Sequence, residues 1–154
     1  MTSKPSLGQP TPASSSHFSA AGFGSPARWR EHVLDHPRRG RVEGKVFLGE
    51  RLGLTGMEVS LGSMLPGEAM SFLHSHTQNE ELYLILSGQG EMQVDGERIA
   101  LEPGTAVRIA PAGLRAWRAT GAEPMAYAVI QAKAGSLEQA SGQDGIRAEA
   151  EPRW

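Results

Sequence analysis

The stretch that decides the fold is PGEAMSFLHSHTQNEELYLILSG, residues 66–88. His74 and His76 are two positions apart, so on an extended strand both imidazoles lie on the same face. A short polar connection then leads to Glu81, at the start of the next apolar run, and its carboxylate can return to that face. Two imidazoles and one carboxylate from neighbouring strands form a site for a divalent transition metal with open positions. The pattern predicts Fe, Mn, Ni, Co or Zn, because Mg and Ca prefer ligand shells made of oxygen.

The sequence around this stretch consists of short apolar runs separated by turn residues. Asp95-Gly96 lies between two such runs and predicts a tight β-hairpin. Because no helical period separates the runs, their spacing predicts an all-β sandwich or barrel. The predicted strands lie near residues 45–49, 55–61, 70–76, 81–87, 90–94, 97–101, 105–110, 114–120 and 125–133.

The spacing of Gly67, His74, His76, Glu81 and Gly88 resembles the first motif of the cupin superfamily. In that motif a Gly and a short strand precede His-x-His, three or four further residues, a Glu, six residues and a second Gly. The resemblance covers roughly residues 55–133. It implies a cupin-type jelly-roll β-barrel, and many cupins hold a metal on these side chains in a pocket inside the barrel. His74, His76 and Glu81 are therefore the implied metal ligands.

Two features of this motif require interpretation: which glutamate is the ligand, and how the extra residue before His74 is accommodated. Glu80 and Glu81 both satisfy the spacing from His76, but the six-residue gap to Gly88 selects Glu81 as the ligand. We expect Glu80 to point outward. One more residue than usual separates the preceding Gly from the first His, and we expect a β-bulge before His74 to absorb it.

The second cupin motif is only half present. Gly104 and Pro111-Ala112-Gly113 match it, but its usual metal-binding His falls at Ala116 and its usual Asn at Thr120. Two alternatives stay open. Either three protein ligands and water hold the metal, as in many catalytic sites, or the pocket is metal-free and the histidines bind a ligand directly.

Strand alternation supplies the candidates for contact with a small-molecule ligand. Phe72 shares a face with the two histidines, and Tyr83 shares a face with the carboxylate ligand. Arg118 shares a face with position 116 and is predicted to enter the pocket, where a guanidinium suits a carboxylate or phosphate. Gln131 is a polar residue on the last strand that is predicted to line the pocket. Trp117 is expected to be a packing residue.

The leucines that alternate with the pocket-facing residues predict an apolar outer surface. They are Leu82, Leu84 and Leu86. Cupin barrels commonly pair through sheet faces, so we expect a homodimer formed on this surface.

Composition excludes several other classes. The 154 residues suit one domain, and the absence of cysteine excludes a thiolate nucleophile and a cysteine-ligated metal site. A formal charge of −2 argues against non-specific nucleic-acid binding. No apolar run approaches the length of a membrane span, and the N-terminus has no signal-peptide core, so we expect no membrane contact and a cytoplasmic location.

The two ends of the chain differ in amino-acid composition from its middle. Residues 1–27 are rich in Ser, Pro and Gly and are predicted to form a disordered tail. Ser25-Pro26 is typical of a helix start, so residues 28–44 are expected to form a short helix, ended by Pro37, and a loop. The barrel is then expected over residues 45–135 and a polar C-terminal tail over residues 136–154.

Two classes of function follow from these interpretations. As an enzyme, the chain would use an open metal to polarise a small oxygenated substrate, or to bind dioxygen if the metal is Fe(II). Resemblance to small single-domain cupins suggests a sugar-phosphate isomerase, an epimerase or a dioxygenase. The alternative is a non-catalytic module that binds a carbohydrate or an organic acid, which the missing fourth ligand favours.

Overall fold

A computed structural model describes residues 13–36 and 40–154, and this part of the chain is built mainly from antiparallel strands. The all-β prediction is therefore confirmed. The elements, in chain order, are β1 Ala13–Ser14, β2 Ser19–Ala20, α1 Pro26–Trp29, β3 Val33–His36, β4 Gly40–Glu43, β5 Lys45–Phe47, α2 Gly49–Leu52, β6 Glu58–Met64, β7 Asn79–Ser87, β8 Gly90–Val94, β9 Glu97–Leu101, β10 Ala106–Ile109, β11 Arg115–Ala119, β12 Met125–Lys133 and a 3-10 helix at Gly142–Asp144.

Two antiparallel sheets form the barrel. One has five strands in the order β10-β7-β12-β6-β5, and the other has three strands in the order β11-β8-β9. Side chains from both sheets meet in one hydrophobic core. The pairs β1-β2 and β3-β4 form two separate small sheets.

The predicted hairpin joins β8 to β9. Val94 pairs with Glu97, and the two residues between them form the turn. Both have positive φ angles, 50° at Asp95 and 92° at Gly96, as the tightest class of hairpin turn requires. The local sequence therefore fixes the register of this pair.

The middle of the barrel is filled by side chains. Met92 and Met125 are fully buried, and Trp117 packs edge to face against Tyr83 and Tyr127 at centroid distances of 5.1 and 5.8 Å. The interior of the barrel is thus largely filled by its own side chains, as is common in small barrels. His74 lies beside this core, with its ring 5.9 Å from the ring of Trp117.

The first helix anchors the start of the fold to the barrel. Trp29 is buried against Val46 and Ala126 on the outside of the five-stranded sheet. The Arg30 guanidinium donates two hydrogen bonds of 2.9 Å to the Glu68 carboxylate and one of 2.9 Å to the Ser63 carbonyl. These contacts hold the turn that precedes the histidine segment.

Strand β7 alternates as expected. Glu81, Tyr83 and Ile85 are buried, whereas Leu82 and Leu84 are half-buried on the opposite face and Leu86 is exposed. The apolar outer surface is present. The homodimer proposed on it stays a prediction.

The region before the barrel differs from the expected helix and loop. The helix ends at Trp29, and Val33–His36 instead forms a strand paired with Gly40–Glu43. An isolated helix this short is unstable in water, and a hairpin satisfies the same backbone groups through ladder hydrogen bonds. Pro37 lies outside the described residues. So do residues 1–12 of the predicted tail, while the next residues contain β1 and β2; disorder of the tail and the domain boundaries stay predictions.

The α-helices of the two described ranges span four residues each, and none could cross a membrane.

Candidate metal centre

The two histidines lie on an irregular segment beside β11. The His74 amide donates to the Arg115 carbonyl at 3.1 Å, the Arg115 amide donates back at 3.0 Å, and the His76 amide donates to the Pro111 carbonyl at 2.8 Å. The predicted strand over residues 70–76 is therefore reduced to single bridges. Five positions separate Ala69 from His74, but only three separate their bridge partners Arg118 and Arg115. Two extra residues thus lie in this segment before His74, whereas a β-bulge with one extra residue was expected.

Glu81 lies near the start of β7, and its carboxylate approaches the two histidines from that strand. One ligand atom from each of His74, His76 and Glu81 lies within 4.8 Å of the others. The two imidazoles are half-buried and the carboxylate is only 6% exposed. Two nitrogen donors and one oxygen donor at this spacing fit a divalent transition metal, so the residues present suit the group that the resemblance implies.

The two oxygens of the Glu81 carboxylate have different surroundings. Oε2 accepts hydrogen bonds from the Tyr83 hydroxyl at 2.7 Å and from Arg115 Nε at 3.1 Å, and a third from Arg115 Nη2. Oε1 lies 3.1 Å from His76 Nε2. The carboxylate is therefore held through one oxygen, and the other faces the imidazole.

The charge on Glu81 is favoured despite its burial. Burial raises the pKa of this carboxyl, but the hydrogen bonds from Tyr83 and Arg115 and the positive charge of Arg115 outweigh burial. The net pKa of Glu81 lies below its ordinary value. Burial and the neighbouring carboxylate raise the pKa of Tyr83, so its hydroxyl stays protonated and donates.

Arg115 is the functional-site residue that the sequence interpretation missed. Its side chain is fully buried, and Nη1 also donates to the carbonyls of Gly113 at 3.0 Å and His74 at 3.4 Å. Every nitrogen of the guanidinium therefore has an acceptor. Arg115 occupies the inward-facing position of β11 next to the candidate ligands.

The expectation that Arg118 enters the pocket is wrong. Its side chain is 52% exposed and pairs with Glu91 at 3.0 Å on the neighbouring strand. The face containing Arg115 and Trp117 is buried, whereas Arg118 is exposed. The spacing of the second motif suggested that Ala116 and Arg118 face inward. Burial of a Trp side chain contributes far more to the free energy of folding than burial of Ala116, so Trp117 faces inward instead. Trp117 itself was the available signal.

Gln131 lies among the candidate ligands. It is the register partner of Glu81 on β12, and its Nε2 is 2.8 Å from His76 Nε2 and 3.3 Å from Glu81 Oε1. The expectation that it lines the site is consistent with this geometry. Contact with a substrate stays a prediction for Gln131, as it does for Tyr83 and Phe72.

Two aromatic rings connect the site to a cleft in the surface. The rings of Phe72 and Trp117 lie 6.0 and 5.9 Å from the His74 ring, and Phe72 is 40% exposed. Both rings also line a cleft of about 480 Å³ whose other wall includes Arg41 and Val42 of β4. The lining of the cleft also includes charged side chains such as Arg30 and Glu68, and the candidate metal ligands are not part of it.

Glu80 points away from the site, as expected. Its carboxylate pairs with the Arg108 guanidinium at 2.6 Å on the neighbouring strand β10. Both side chains are partly exposed. The choice of Glu81 over Glu80 as the inward carboxylate is therefore confirmed.

Comparison with known proteins places the fold in a family. A model of the cupin domain matches residues 60–131. A cupin protein from Bacteroides fragilis, whose crystal structure is known, is 46% identical with a TM-score of 0.65, over 68% of this chain and 88% of that one.

Two more distant proteins are also similar. A proposed sugar phosphate isomerase from Acidithiobacillus ferrooxidans is 27% identical with a TM-score of 0.53, over 58% of each chain. An uncharacterized protein from Methanocaldococcus jannaschii is 35% identical over 57 residues, which is 36% of this chain and 46% of that protein. The match thus spans about half the length of this archaeal relative. The family model and the Bacteroides fragilis protein show that the chain belongs to the cupin family.

Proposed function

We propose that this cupin binds a divalent transition metal through His74, His76 and Glu81, and that the metal in turn binds a small oxygenated anion. The observation that carries the proposal is the convergence of three ligand atoms within 4.8 Å of one another beside the packed core of the barrel. When bound, such a metal polarises a carbonyl oxygen or stabilises an enediolate.

The surrounding residues orient the Glu81 carboxylate for metal binding. Tyr83 and Arg115 occupy Oε2 of Glu81, so they fix the orientation of the carboxylate and leave Oε1 directed toward His76. Because the metal ligand and its supports are buried, the carboxylate cannot turn toward bulk water. Supporting hydrogen bonds of this kind usually strengthen metal binding.

The charge of the site favours an anion as the ligand. Arg115 and Glu81 cancel each other, so with neutral imidazoles the site has no formal charge before metal binding. A divalent ion would then keep its full charge of +2, in surroundings that screen it weakly. An anionic oxygen ligand is favoured over a neutral one for this reason.

The substrate class that we propose is therefore a sugar phosphate or an organic acid. The 27% identity to a proposed sugar phosphate isomerase supports the first of these, and isomerisation is the proposed reaction if the protein is an enzyme. The cleft bordered by Phe72 and Trp117 has room for a ligand of this size.

A second candidate function is a binding module that works without metal. The observation that favours it is the set of side-chain contacts that links Gln131, His76, Glu81, Tyr83 and Arg115 to one another. Hydrogen bonds of this kind hold the side chains in position for a ligand that binds to them directly.

A thermal-shift experiment separates the two candidates. Protein stripped with a chelator and protein reloaded with Mn(II) are each mixed with sugar phosphates, organic acids and neutral sugars. We expect anions to raise the melting temperature of the loaded protein only, and His74→Ala to abolish the effect. Stabilisation that is indifferent to metal and to His74→Ala would identify the binding module instead. Absence of stabilisation by any anion would contradict the small-molecule part of the proposal.

A further inference from the structure

The amide of Gln131 lies at the centre of the candidate metal site. Its terminal nitrogen is 2.8 Å from His76 Nε2 and 3.3 Å from Glu81 Oε1, and those two atoms are 3.1 Å apart. One end of the amide therefore touches two of the three candidate ligands at once. The side chain reaches this point because Gln131 pairs with Glu81 across the β7-β12 ladder.

These three atoms form a triangle with the dimensions of a coordination face. An octahedral ion with bonds of about 2.1 Å has neighbouring ligand atoms about 3.0 Å apart. The observed edges of 2.8, 3.1 and 3.3 Å are close to that value. The end of the Gln131 amide thus lies where a ligand would lie beside His76 and Glu81.

The amide oxygen can take the place of the nitrogen. A half-turn about the last side-chain torsion exchanges the two atoms with almost no change in shape, and that torsion is soft. With the nitrogen inward, the amide donates to Glu81 Oε1 and, when His76 Nε2 carries no proton, to that nitrogen as well. With a cation at the centre, the oxygen is favoured because only it has lone pairs to offer.

The second motif lacks its usual metal-binding His, and Gln131 lies where it can supply a ligand instead. The usual His of the second motif is replaced by Ala116, and the inward neighbour Arg115 is a permanent cation whose nitrogens donate to Glu81, Gly113 and His74. Neither residue can act as a ligand. Gln131 lies on a different strand from that motif and brings a neutral oxygen donor to the same point.

We propose that the side-chain oxygen of Gln131 is the fourth protein ligand of the metal, beside His74, His76 and Glu81. This inference rests on the proposed metal site. A set of two imidazole nitrogens and two oxygens is harder than the set of three imidazole nitrogens and one carboxylate oxygen that the two complete motifs supply. The substitution therefore shifts the preference of the site toward Mn(II) and away from softer ions.

The test compares Mn(II) and Zn(II) binding by chelator-stripped wild-type protein with that of three variants. Gln131→Leu removes the oxygen at similar volume, Gln131→Glu keeps an oxygen donor, and Gln93→Leu is the matched control on an exposed position of β8. Free Mn(II) is followed by electron paramagnetic resonance, and Zn(II) by competition with a coloured chelator. We expect Gln131→Leu to weaken Mn(II) binding by roughly tenfold to a hundredfold and Zn(II) binding by less. Gln131→Glu is expected to bind Mn(II) at least as tightly as wild type, and Gln93→Leu to match wild type.

Unchanged Mn(II) affinity in Gln131→Leu, with the wild type binding normally, would overturn this inference and leave the proposed function intact. Failure of the folded wild type to take up either ion would overturn the preference for Mn(II), and failure with Fe(II), Co(II) and Ni(II) as well would remove the proposed function itself. A crystal structure of the Mn(II) complex separates a ligand from a residue that only positions His76. An amide oxygen within bonding distance of the ion supports the inference, and a water molecule in that position overturns it.

Discussion

Arg115 and Glu81 form a buried ion pair in which two nitrogens of the guanidinium donate to the same carboxylate oxygen, Oε2. The arginine is completely inaccessible to solvent and the glutamate is 6% exposed. A buried pair of this kind depends on both members, because either one alone would be an uncompensated charge. It therefore links the stability of the barrel to the geometry of the candidate site.

Arg115→Met tests this relationship. Removal of the cation leaves Glu81 charged and buried, so we expect the free energy of unfolding to fall by about 3–5 kcal/mol. Urea denaturation measures the change. Arg118→Met is the control, since that guanidinium is 52% exposed in its pair with Glu91 and should cost less than about 1 kcal/mol. Equal losses in the two variants would contradict the burial of Arg115.

Tyr83→Phe tests the support of the carboxylate by the phenol. The folded-state pKa of Glu81 is lowered, so its contribution to stability is present above the unfolded pKa of about 4.5 and is lost as the pH falls through the lower folded value. Without the 2.7 Å hydrogen bond the folded pKa rises, and the metal-free variant should lose stability at a higher pH than wild type. Urea denaturation at a series of acid pH values measures this shift. Tyr127→Phe, which removes a hydroxyl not bonded to Glu81, should leave the pH dependence unchanged, and an identical change in both variants would argue against the role of Tyr83.

Glu80 and Glu81 are adjacent in the sequence, so their substitutions provide a test of metal binding and a matched control. Glu81→Gln removes the proposed oxygen ligand, and we expect it to weaken Mn(II) binding by more than roughly tenfold. Glu80→Gln breaks only a partly exposed pair with Arg108 and should leave Mn(II) affinity unchanged. Calorimetric titration of both variants decides between them. If Glu80→Gln caused the larger loss, the assignment of the inward carboxylate would be wrong.

Gly62→Ala tests the packing of the barrel interior. The Tyr127 ring lies so close to Gly62 that an added methyl group would overlap it, and the ring is buried against Trp117. Overpacking of this kind costs about 1–3 kcal/mol, so the variant should unfold at lower urea concentration. Gly56→Ala has open space around it and serves as the control. Wild-type stability in Gly62→Ala would show that the ring does not lie over this glycine.

Most of the barrel strands were predictable, because turn residues mark their ends and alternating apolar residues mark their inward faces, but the strand expected over residues 70–76 is reduced to isolated bridges. Asp95-Gly96 fixed one hairpin and the alternation along β7 fixed which of its residues turn inward. The inward direction of Glu81 followed from a motif with a fixed gap to Gly88. The region around α1 was less predictable, because Val33–His36 is a strand only by virtue of its pairing with β4.

The inward position of Arg115 could not be predicted from the second cupin motif. The spacing of the motif assigned the inward phase of β11 to Ala116 and Arg118, whereas packing of Trp117 against Tyr83 and Tyr127 sets the phase that places Arg115 inside. The close approach of Gln131 to His76 depends on the register between β7 and β12, which is a relationship between distant segments. Such three-dimensional pairings carry no local signal.

Metal uptake by the protein itself tests the proposal that His74, His76 and Glu81 bind a divalent transition metal. Wild type, His74→Ala and His76→Ala are stripped with a chelator, incubated with Mn(II), Fe(II), Co(II), Ni(II) or Zn(II), desalted and analysed for bound metal. We predict about one equivalent of at least one of these ions per wild-type chain, and less than about a tenth of an equivalent in each folded variant. Folded wild-type protein that retains none of the five ions, or histidine variants that retain as much as wild type, would contradict it.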